Sequence, residues 1–177
     1  MSEHEHKNGV DASEAVQSST PPAPGDSVTT RALRSFPDGT YLMTSGYEGD
    51  RAGVLVHSVL PVSMDPPMIV VAARKGHAID PIIRDARCFA VGVVRPDDKL
   101  IRKRFCFADT AVSFRAEPDS TDVFDPFPER TLATGAPILD RCPVWLDCEI
   151  ARHIDLDSDY ELFVGLIVAA RINDATS

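Results

Sequence analysis

The stretch GVLVHSVLPVSMDPP, residues 53–67, decides the fold because it is typical of a strand that ends in an extended Asp-Pro-Pro exit. Side chains of a strand alternate between two faces, so each face here is mostly aliphatic and carries one polar group, Ser58 on one face and His57 on the other. Pro66 and Pro67 cannot donate to a sheet ladder, so the chain must turn before it re-enters as MIVVAAR. The stretch therefore predicts one strand over residues 53–60 that can line a binding cleft, then a kink and a second strand.

The apolar runs along the rest of the chain predict a mainly β domain. TYLMTS follows a capped two-turn helix that begins at Thr29 and stops at Pro37, and GYEGDRAG is typical of the loop of a hairpin. Further strands are predicted at residues 68–73, 89–94, 144–150 and 161–170. Short helices are predicted near 78–86 and 98–105, and one long connection runs from 108 to 143. Six strands with hairpins favour an antiparallel barrel over a doubly wound α/β sheet, and the chain lacks a GxGxxG or GxxxxGK[ST] loop.

Length, charge and hydropathy restrict the class of protein. A chain of 177 residues with 44% hydrophobic content fits one domain with a substantial core. The net charge of −9 argues against a nucleic-acid binder, since phosphate backbones are bound mainly by clustered Lys and Arg. No run is long enough to cross a membrane, and acidic residues stand where a secretory signal would be basic. These features predict a cytoplasmic protein that binds neither nucleic acid nor membrane.

The N-terminal segment differs in composition from the rest of the chain. Residues 1–28 have no aromatic residue and are rich in Ser, Thr, Pro and acidic residues, so we expect a disordered tail before a domain at 29–177. Neither the tail histidines nor the four cysteines have the spacing of a zinc site, and no metal site is predicted. The cysteines in strand-like segments, Cys88 and Cys148, are expected to be buried, reduced thiols.

The order of the motifs resembles that of the flavin reductase family. The family carries a Gly-x-x-x-x-Ser strand followed by Ser-x-(Asp/Glu)-Pro-Pro. This chain has these elements and then, in the same order, the segments MIVVAARKG, AIDPIIRDA, CFAVGVV, DDKLIRKRF, TGAPIL, VWLDCEI and DSDYELFVGLIVAARI. The resemblance covers roughly residues 32–172 and implies a six-stranded antiparallel split β-barrel of Greek-key type. It also implies a homodimer with a flavin cleft between the subunits.

The resemblance and the residues together predict where a flavin would bind. Backbone amides beside Val56, His57 and Ser58 would serve the ring, because a strand rim offers donors for its carbonyl edge and N5. The phosphate is expected at the basic loop between a strand and a helix, where side-chain charge and helix N-terminal amides converge. That loop contains Arg74, Lys75, Gly76, His77 and Ala78. Lys75 occupies a position that is often basic in the family.

The chain departs from the family pattern at three points. His57-Ser58 replaces a pair of small hydroxyl residues, so His57 either contacts the flavin ring or is a hydrogen-bonded histidine under the sheet. Gly92 replaces an Asn and lets a ligand approach the backbone closely. Tyr160 replaces a histidine that lies near the nicotinamide in the family, and it can stack and donate a hydrogen bond without exchanging a proton near neutral pH. His153 in the preceding strand is an alternative to that histidine if the two strands pair, but a surface role is expected for it.

These observations predict an NAD(P)H-dependent flavin reductase that reduces FMN or FAD for an oxygenase partner. Hydride transfer needs no protein acid or base, so loss of the family's histidine is compatible with the activity, with Tyr160 as the catalytic candidate. The alternative is a non-catalytic FMN-binding protein that carries electrons, like a flavoredoxin, or stores flavin. The choice between NADH and NADPH stays open because no 2′-phosphate site is recognisable. A hydrolase is not indicated, since the chain has no G-x-S-x-G elbow.

Overall fold

The computed structural model describes residues 28–106 and 122–173. The chain divides into two compact units, residues 1–37 and residues 38–177. The described part of the first unit contains a short helix, α1 (Val28–Leu33), as the capping pattern predicted. Its C-terminal end is closed by the Ser35 hydroxyl, which donates to the carbonyl of Ala32 at 2.6 Å. The predicted disordered tail lies, except for its last residue, outside the described residues and stays a prediction.

The second unit is mainly β, with nine strands and two helices in its described residues. In chain order these are β1 (Tyr41–Tyr47), β2 (Asp50–Val56), β3 (Ser58–Met64), β4 (Pro67–Arg74), α2 (Ile79–Ala86), β5 (Cys88–Val93), α3 (Lys99–Phe105), β6 (Glu129–Arg130), β7 (Ile138–Leu139), β8 (Val144–Asp155) and β9 (Tyr160–Ile172). Seven strands form one sheet in the order β2-β1-β5-β8-β9-β4-β3, and β6 pairs with β7. All the pairings are antiparallel, which confirms the mainly β, antiparallel part of the predicted fold class.

The segment 53–60 is two strands rather than the single predicted strand. β2 ends at Val56 and pairs with β1, whereas β3 begins at Ser58 and pairs with β4. These strands form the opposite edges of the sheet, so one residue, His57, joins its two edges. The sheet must therefore curl until both edges meet at His57, although no ladder joins β2 to β3 among the described strands. This division explains why the principal sheet has seven strands where six were predicted.

Turn residues account for the hairpins on either side of this junction. Glu48 and Gly49 have φ values of 49° and 92°, as expected for a two-residue turn that matches the twist of β1 and β2. The hairpin in this region is confirmed, with a shorter loop than predicted. β3 and β4 are joined at Asp65 and Pro66, whose peptide bond is cis, and Met64 pairs directly with Pro67.

Two apolar clusters fill the second unit. One packs α2 against the sheet and includes Ile83, Phe89 and Phe163, and the other packs α3 around Trp145. The predicted helices near 78–86 and 98–105 are confirmed as α2 and α3. Cys88 and Cys148 are buried free thiols, as expected.

No helix within 28–106 or 122–173 combines the length and apolar character that spanning a membrane requires.

Candidate functional site

A cleft of about 370 Å³ opens where the two edges of the sheet meet. Its size falls within the usual range of about 300–1,000 Å³ for small-molecule sites. The walls come from the end of β2, the start of β3, the end of β4, the loop before α2, the residue after α3 and the start of β9. The lining residues are Leu55, Val56, His57, Ser58, Ala72, Arg74, His77, Cys106 and Tyr160. The cleft thus brings together six of the ten residues predicted for the site.

His57 is held at the junction by its imidazole and its backbone. Its Nδ1 lies 2.9 Å from the carbonyl oxygen of Gly39, and its own carbonyl accepts a hydrogen bond from the Gly39 N–H at 3.4 Å. Because a carbonyl can only accept, Nδ1 carries the hydrogen and a neutral ring presents Nε2 as an acceptor. His57 is exposed and lines the cleft, so it does not lie under the sheet.

The basic end of the cleft combines Arg74 with His77. Arg74 ends β4 and is paired in register with Tyr160 of β9, which places a cation and an aromatic ring on adjacent strands. Burial lowers the pKa of His77, and the positive charge of Arg74 lowers this pKa further. Near neutral pH His77 is therefore a neutral imidazole, and the permanent positive charge of the cleft belongs to Arg74.

The other members of the basic loop face different partners. The Lys75 ammonium donates to Asp155 Oδ1 at 2.5 Å, and the Lys75 N–H donates to the carbonyl of Asp159 at 2.8 Å. The N–H of Gly76 donates to Asp80 Oδ2 at 2.6 Å. Ala78 is the N-cap of α2 and makes no side-chain cap. None of Lys75, Gly76 and Ala78 lines the cleft.

Tyr160 stands at the mouth of the cleft, half-exposed at the first position of β9. Its N–H donates to the Ser158 hydroxyl at 3.2 Å, which closes the turn from β8. The acidic run before it is a hairpin turn, in which the Asp157 N–H donates to Asp155 Oδ1 at 2.8 Å. The Tyr160 side chain is thus presented by a short, hydrogen-bonded turn.

Gly92 lies outside the cleft, beneath the indole of Trp145. A Cβ added to Gly92 would come within 2.6 Å of Trp145 Cε2, so the close approach at this glycine is made by a core side chain. Trp145 is fully buried, and its Nε1 donates to the carbonyl of Leu139 at 2.8 Å. The structure therefore assigns the small residue at position 92 to packing between β5 and β8.

A buried polar group behind the cleft was not singled out in the sequence. Asp80 in α2 and Glu161 in β9 are both almost completely buried. His153 Nε2 lies 2.5 Å from Glu161 Oε2, and the imidazole stacks on Phe163 with ring centroids 5.0 Å apart. His153 is an exposed residue of β8, in keeping with the surface role expected of it, and the structure adds these two contacts. The signal in the sequence was Glu161 itself, a carboxylate on the apolar face of an otherwise aliphatic strand.

A second cleft of about 470 Å³ lies beside the β1–β2 hairpin, but its cations are already paired. Arg51 forms ion pairs with Asp122, at 2.8 Å, and with Glu129. Arg130 makes two hydrogen bonds to Asp140, at 2.7 and 2.6 Å. This second cleft contains none of the residues predicted for the site.

The fold and the cleft define a class of small antiparallel β proteins that includes flavin reductases. The structure matches that of the NADH:FAD oxidoreductase SgcE6 of Streptomyces globisporus, solved with NAD and FAD fragments, with a TM-score of 0.68 and 23% identity over 83% of this chain and 82% of that chain. It also matches BorF, the flavin reductase component of a bacterial two-component tryptophan halogenase, with a TM-score of 0.65 and 27% identity over 82% of this chain and 88% of that chain.

The sequence comparisons agree with the structural ones. The family described as flavin reductase like domain matches residues 33–177, and the chain belongs to this family. The NADH-dependent flavin reductase StyB of Pseudomonas fluorescens is 26% identical over 148 residues, which are 83% of this chain and 79% of that protein. The resemblance noted in the motifs is thereby confirmed.

Proposed function

We propose that this protein is an NAD(P)H-dependent flavin reductase whose flavin binds in the cleft at His57. The observation that carries the proposal is the meeting of both sheet edges at one residue. This meeting puts an apolar wall, the edge backbone of β2 and β3 and the cation of Arg74 around a single cleft. Membership of the flavin reductase like family supports the assignment of the ligand.

The cleft has the groups that a flavin requires. Leu55, Val56 and Ala72 supply apolar contact for a flat ring system. β2 and β3 are edge strands, so alternate N–H and C=O groups near Val56 and Ser58 have no ladder partner among the described strands and are proposed to serve the polar edge of the ring. The His57 carbonyl is not one of them, because it accepts from the Gly39 N–H. Arg74 and His77 are proposed to bind the phosphate, since both line the same end of the cleft.

Bound flavin would supply the hydride acceptor. It would take up a hydride from the reduced nicotinamide and one proton from solvent, so that reduced flavin and NAD(P)⁺ would be the products. The chain's own part is to hold the two rings together and exclude water. Tyr160, half-exposed at the cleft mouth, is proposed to position the nicotinamide. FMN is the first ligand to test, with FAD as the alternative.

We further propose a homodimeric split barrel that delivers reduced flavin to an oxygenase. The apolar surface that supports a dimer is on edge strand β3, where Leu60, Val62 and Met64 are 62%, 48% and 87% exposed. An exposed apolar edge strand is unfavourable in a monomer and is protected when another copy covers it. Trp145 has no part in this surface, because it is fully buried in the core.

The decisive experiment is the absorption spectrum of the purified protein with FMN or FAD, followed anaerobically after addition of NADH and then NADPH. We expect loss of the oxidised flavin absorbance within seconds with at least one nicotinamide. If neither nicotinamide reduces bound flavin over minutes while dithionite does, the protein is an electron carrier or a flavin store. If neither flavin binds, the proposed site is wrong.

A further inference from the structure

Two buried carboxylates lie behind the basic end of the cleft. Asp80 is in the first turn of α2, and Glu161 is the second residue of β9; their exposed fractions are 7% and 0%. Each has one oxygen, Asp80 Oδ1 and Glu161 Oε1, that finds no hydrogen-bond partner among the described residues. A carboxylate is costly to bury unless its oxygens are hydrogen-bonded. The burial of these two carboxylates therefore requires a structural or functional reason.

Asp80 is hydrogen-bonded to two residues of the loop that carries His77. Its Oδ2 accepts from the Gly76 N–H at 2.6 Å, and its own N–H donates to the carbonyl of His77 at 3.1 Å. Gly76 has a φ of +85°, in the left-handed region that favours glycine, and the space where a Cβ would stand is open. The two hydrogen bonds tie Gly76 and His77 to the first turn of α2.

Glu161 links β9 to α2 and β8 behind the cleft. Its Oε2 contacts His153 Nε2 at 2.5 Å and Arg84 of α2 at 3.6 Å. Glu161 directly follows Tyr160 and pairs in register with Ala73, the neighbour of Arg74. Burial raises the pKa of the Asp80 carboxyl, the Gly76 N–H opposes this effect, and the charge of Glu161 raises the pKa further.

We propose that Asp80 is a positioning residue for phosphate recognition. By holding Gly76 and His77 from both sides, it sets His77 beside Arg74 so that both face one phosphate group in the cleft. The residue itself does not line the cleft and acts through the loop. This inference rests on the proposed function, in which the cleft binds a flavin, and adds that the cleft distinguishes FMN from a flavin without phosphate.

The test compares FMN with riboflavin, which shares the ring but lacks the phosphate. Asp80→Leu keeps the branched shape and removes both oxygens without leaving an unpaired buried charge, whereas Asp80→Asn keeps an acceptor for the Gly76 N–H. Asp85→Ala, an exposed aspartate on the same helix, is the matched control. Affinities are measured by quenching of flavin fluorescence, and thermal unfolding followed by circular dichroism verifies that each variant is folded.

Asp80→Leu should weaken FMN binding by about five- to tenfold, the size of effect expected when one ordinary hydrogen bond that positions the loop is lost, and change riboflavin binding by less than about twofold. Asp80→Asn should stay within about threefold of wild type for both ligands, and Asp85→Ala should change neither. If Asp80→Leu does not fold, Asp80→Ala replaces it with the same expectation. Equal losses for FMN and riboflavin, or no loss, would overturn the positioning role alone. A wild-type protein that binds neither ligand would overturn the proposed function as well.

Discussion

At the residue scale, the two neighbouring cations of the basic loop should differ in their effect on flavin affinity. Arg74 lines the cleft, whereas Lys75 forms an ion pair with Asp155. We therefore expect Arg74→Ala to weaken FMN binding about tenfold or more, the loss of a charge-assisted contact worth roughly 1.5–3 kcal/mol. Lys75→Ala is the matched control and should change affinity less than about threefold, since an exposed pair contributes little. Fluorescence titration at low and high salt measures both, and a larger effect of Lys75→Ala would place the phosphate on the other side of the loop.

A second residue-scale prediction concerns Tyr160. If its ring positions the nicotinamide, Tyr160→Ala should lower the rate of flavin reduction by NAD(P)H by more than about tenfold while FMN affinity changes much less. The substitution would remove an interaction with the nicotinamide, whereas the contacts between the protein and the flavin would be unchanged. Stopped-flow absorbance under anaerobic conditions gives the rate, with Tyr47→Ala as a control at another half-exposed tyrosine. A parallel loss of rate and FMN affinity would show that Tyr160 belongs to the flavin site instead.

At the scale of the element, Gly92 should matter for stability rather than for ligand affinity. A methyl group at this position of β5 meets the Trp145 ring, so Gly92→Ala should lower the free energy of unfolding by roughly 1–3 kcal/mol through overpacking. Gly46→Ala in the adjacent strand β1 is the control, because its added Cβ would lie 3.4 Å from Pro137, an ordinary contact. Urea unfolding measures both variants. Unchanged stability together with weaker FMN binding would support the original expectation that a ligand approaches Gly92.

The N-terminus of α3 provides a prediction about pH. Asp98 caps this helix by accepting from the Ile101 N–H at 3.0 Å, and it also accepts from Arg141 Nε at 2.8 Å. Burial alone would raise the pKa of Asp98, but the hydrogen bond from Arg141 and those from the helix lower it below its ordinary value of 3.8. A lowered pKa in the folded state stabilises the protein above the unfolded pKa, and this contribution is lost as the pH falls through the folded pKa.

Asp98→Ala should accordingly cost about 1–2 kcal/mol in the free energy of unfolding at pH 7. The difference from wild type should shrink as the pH falls below about 4, because the wild-type carboxylate then becomes protonated. Urea unfolding at pH 7 and at pH 3 gives the two differences. Asp97→Ala, an exposed neighbour, is the control and should show no such trend. A difference that does not depend on pH would mean that the ionised form of Asp98 has no special role.

Local patterns predicted the elements well but not their partners. Apolar alternation continues from Val56 to Ser58, so it predicts one strand, and the exchange of partner strand at His57 depends on contacts far away in sequence. Successive residues at a strand end point to opposite sides, so the basic loop was recognisable while the choice between Arg74 and Lys75 was not. The contact between Gly92 and Trp145 likewise depends on the register of β5 with β8.

At the scale of the whole molecule, the exposed edge strand β3 predicts self-association. Leu60→Lys combined with Met64→Lys should convert a dimer to a monomer, because two charges on this surface would have to be buried without partners. Ile172→Lys, at an exposed position at the end of β9, is the control and should leave the dimer intact. Light scattering coupled to size exclusion gives the mass. A dimer that survives the double substitution would place the interface elsewhere on the sheet.

The junction at His57 also determines the order in which the chain can fold during synthesis. The hairpins β1–β2 and β3–β4 are neighbours along the chain and emerge from the ribosome together, but they occupy opposite edges of the sheet. β4 cannot pair with its inner neighbour β9 until β9, the last strand of the sheet in chain order, has been synthesised. In the same way, β1 cannot pair with β5 until β5 has been synthesised. At elongation rates of about 5–20 residues per second, the apolar hairpin β3–β4 stays without that partner for several seconds. Among the described strands, the β3–β4 hairpin therefore exposes its apolar surface for the longest time before its inner partner is synthesised.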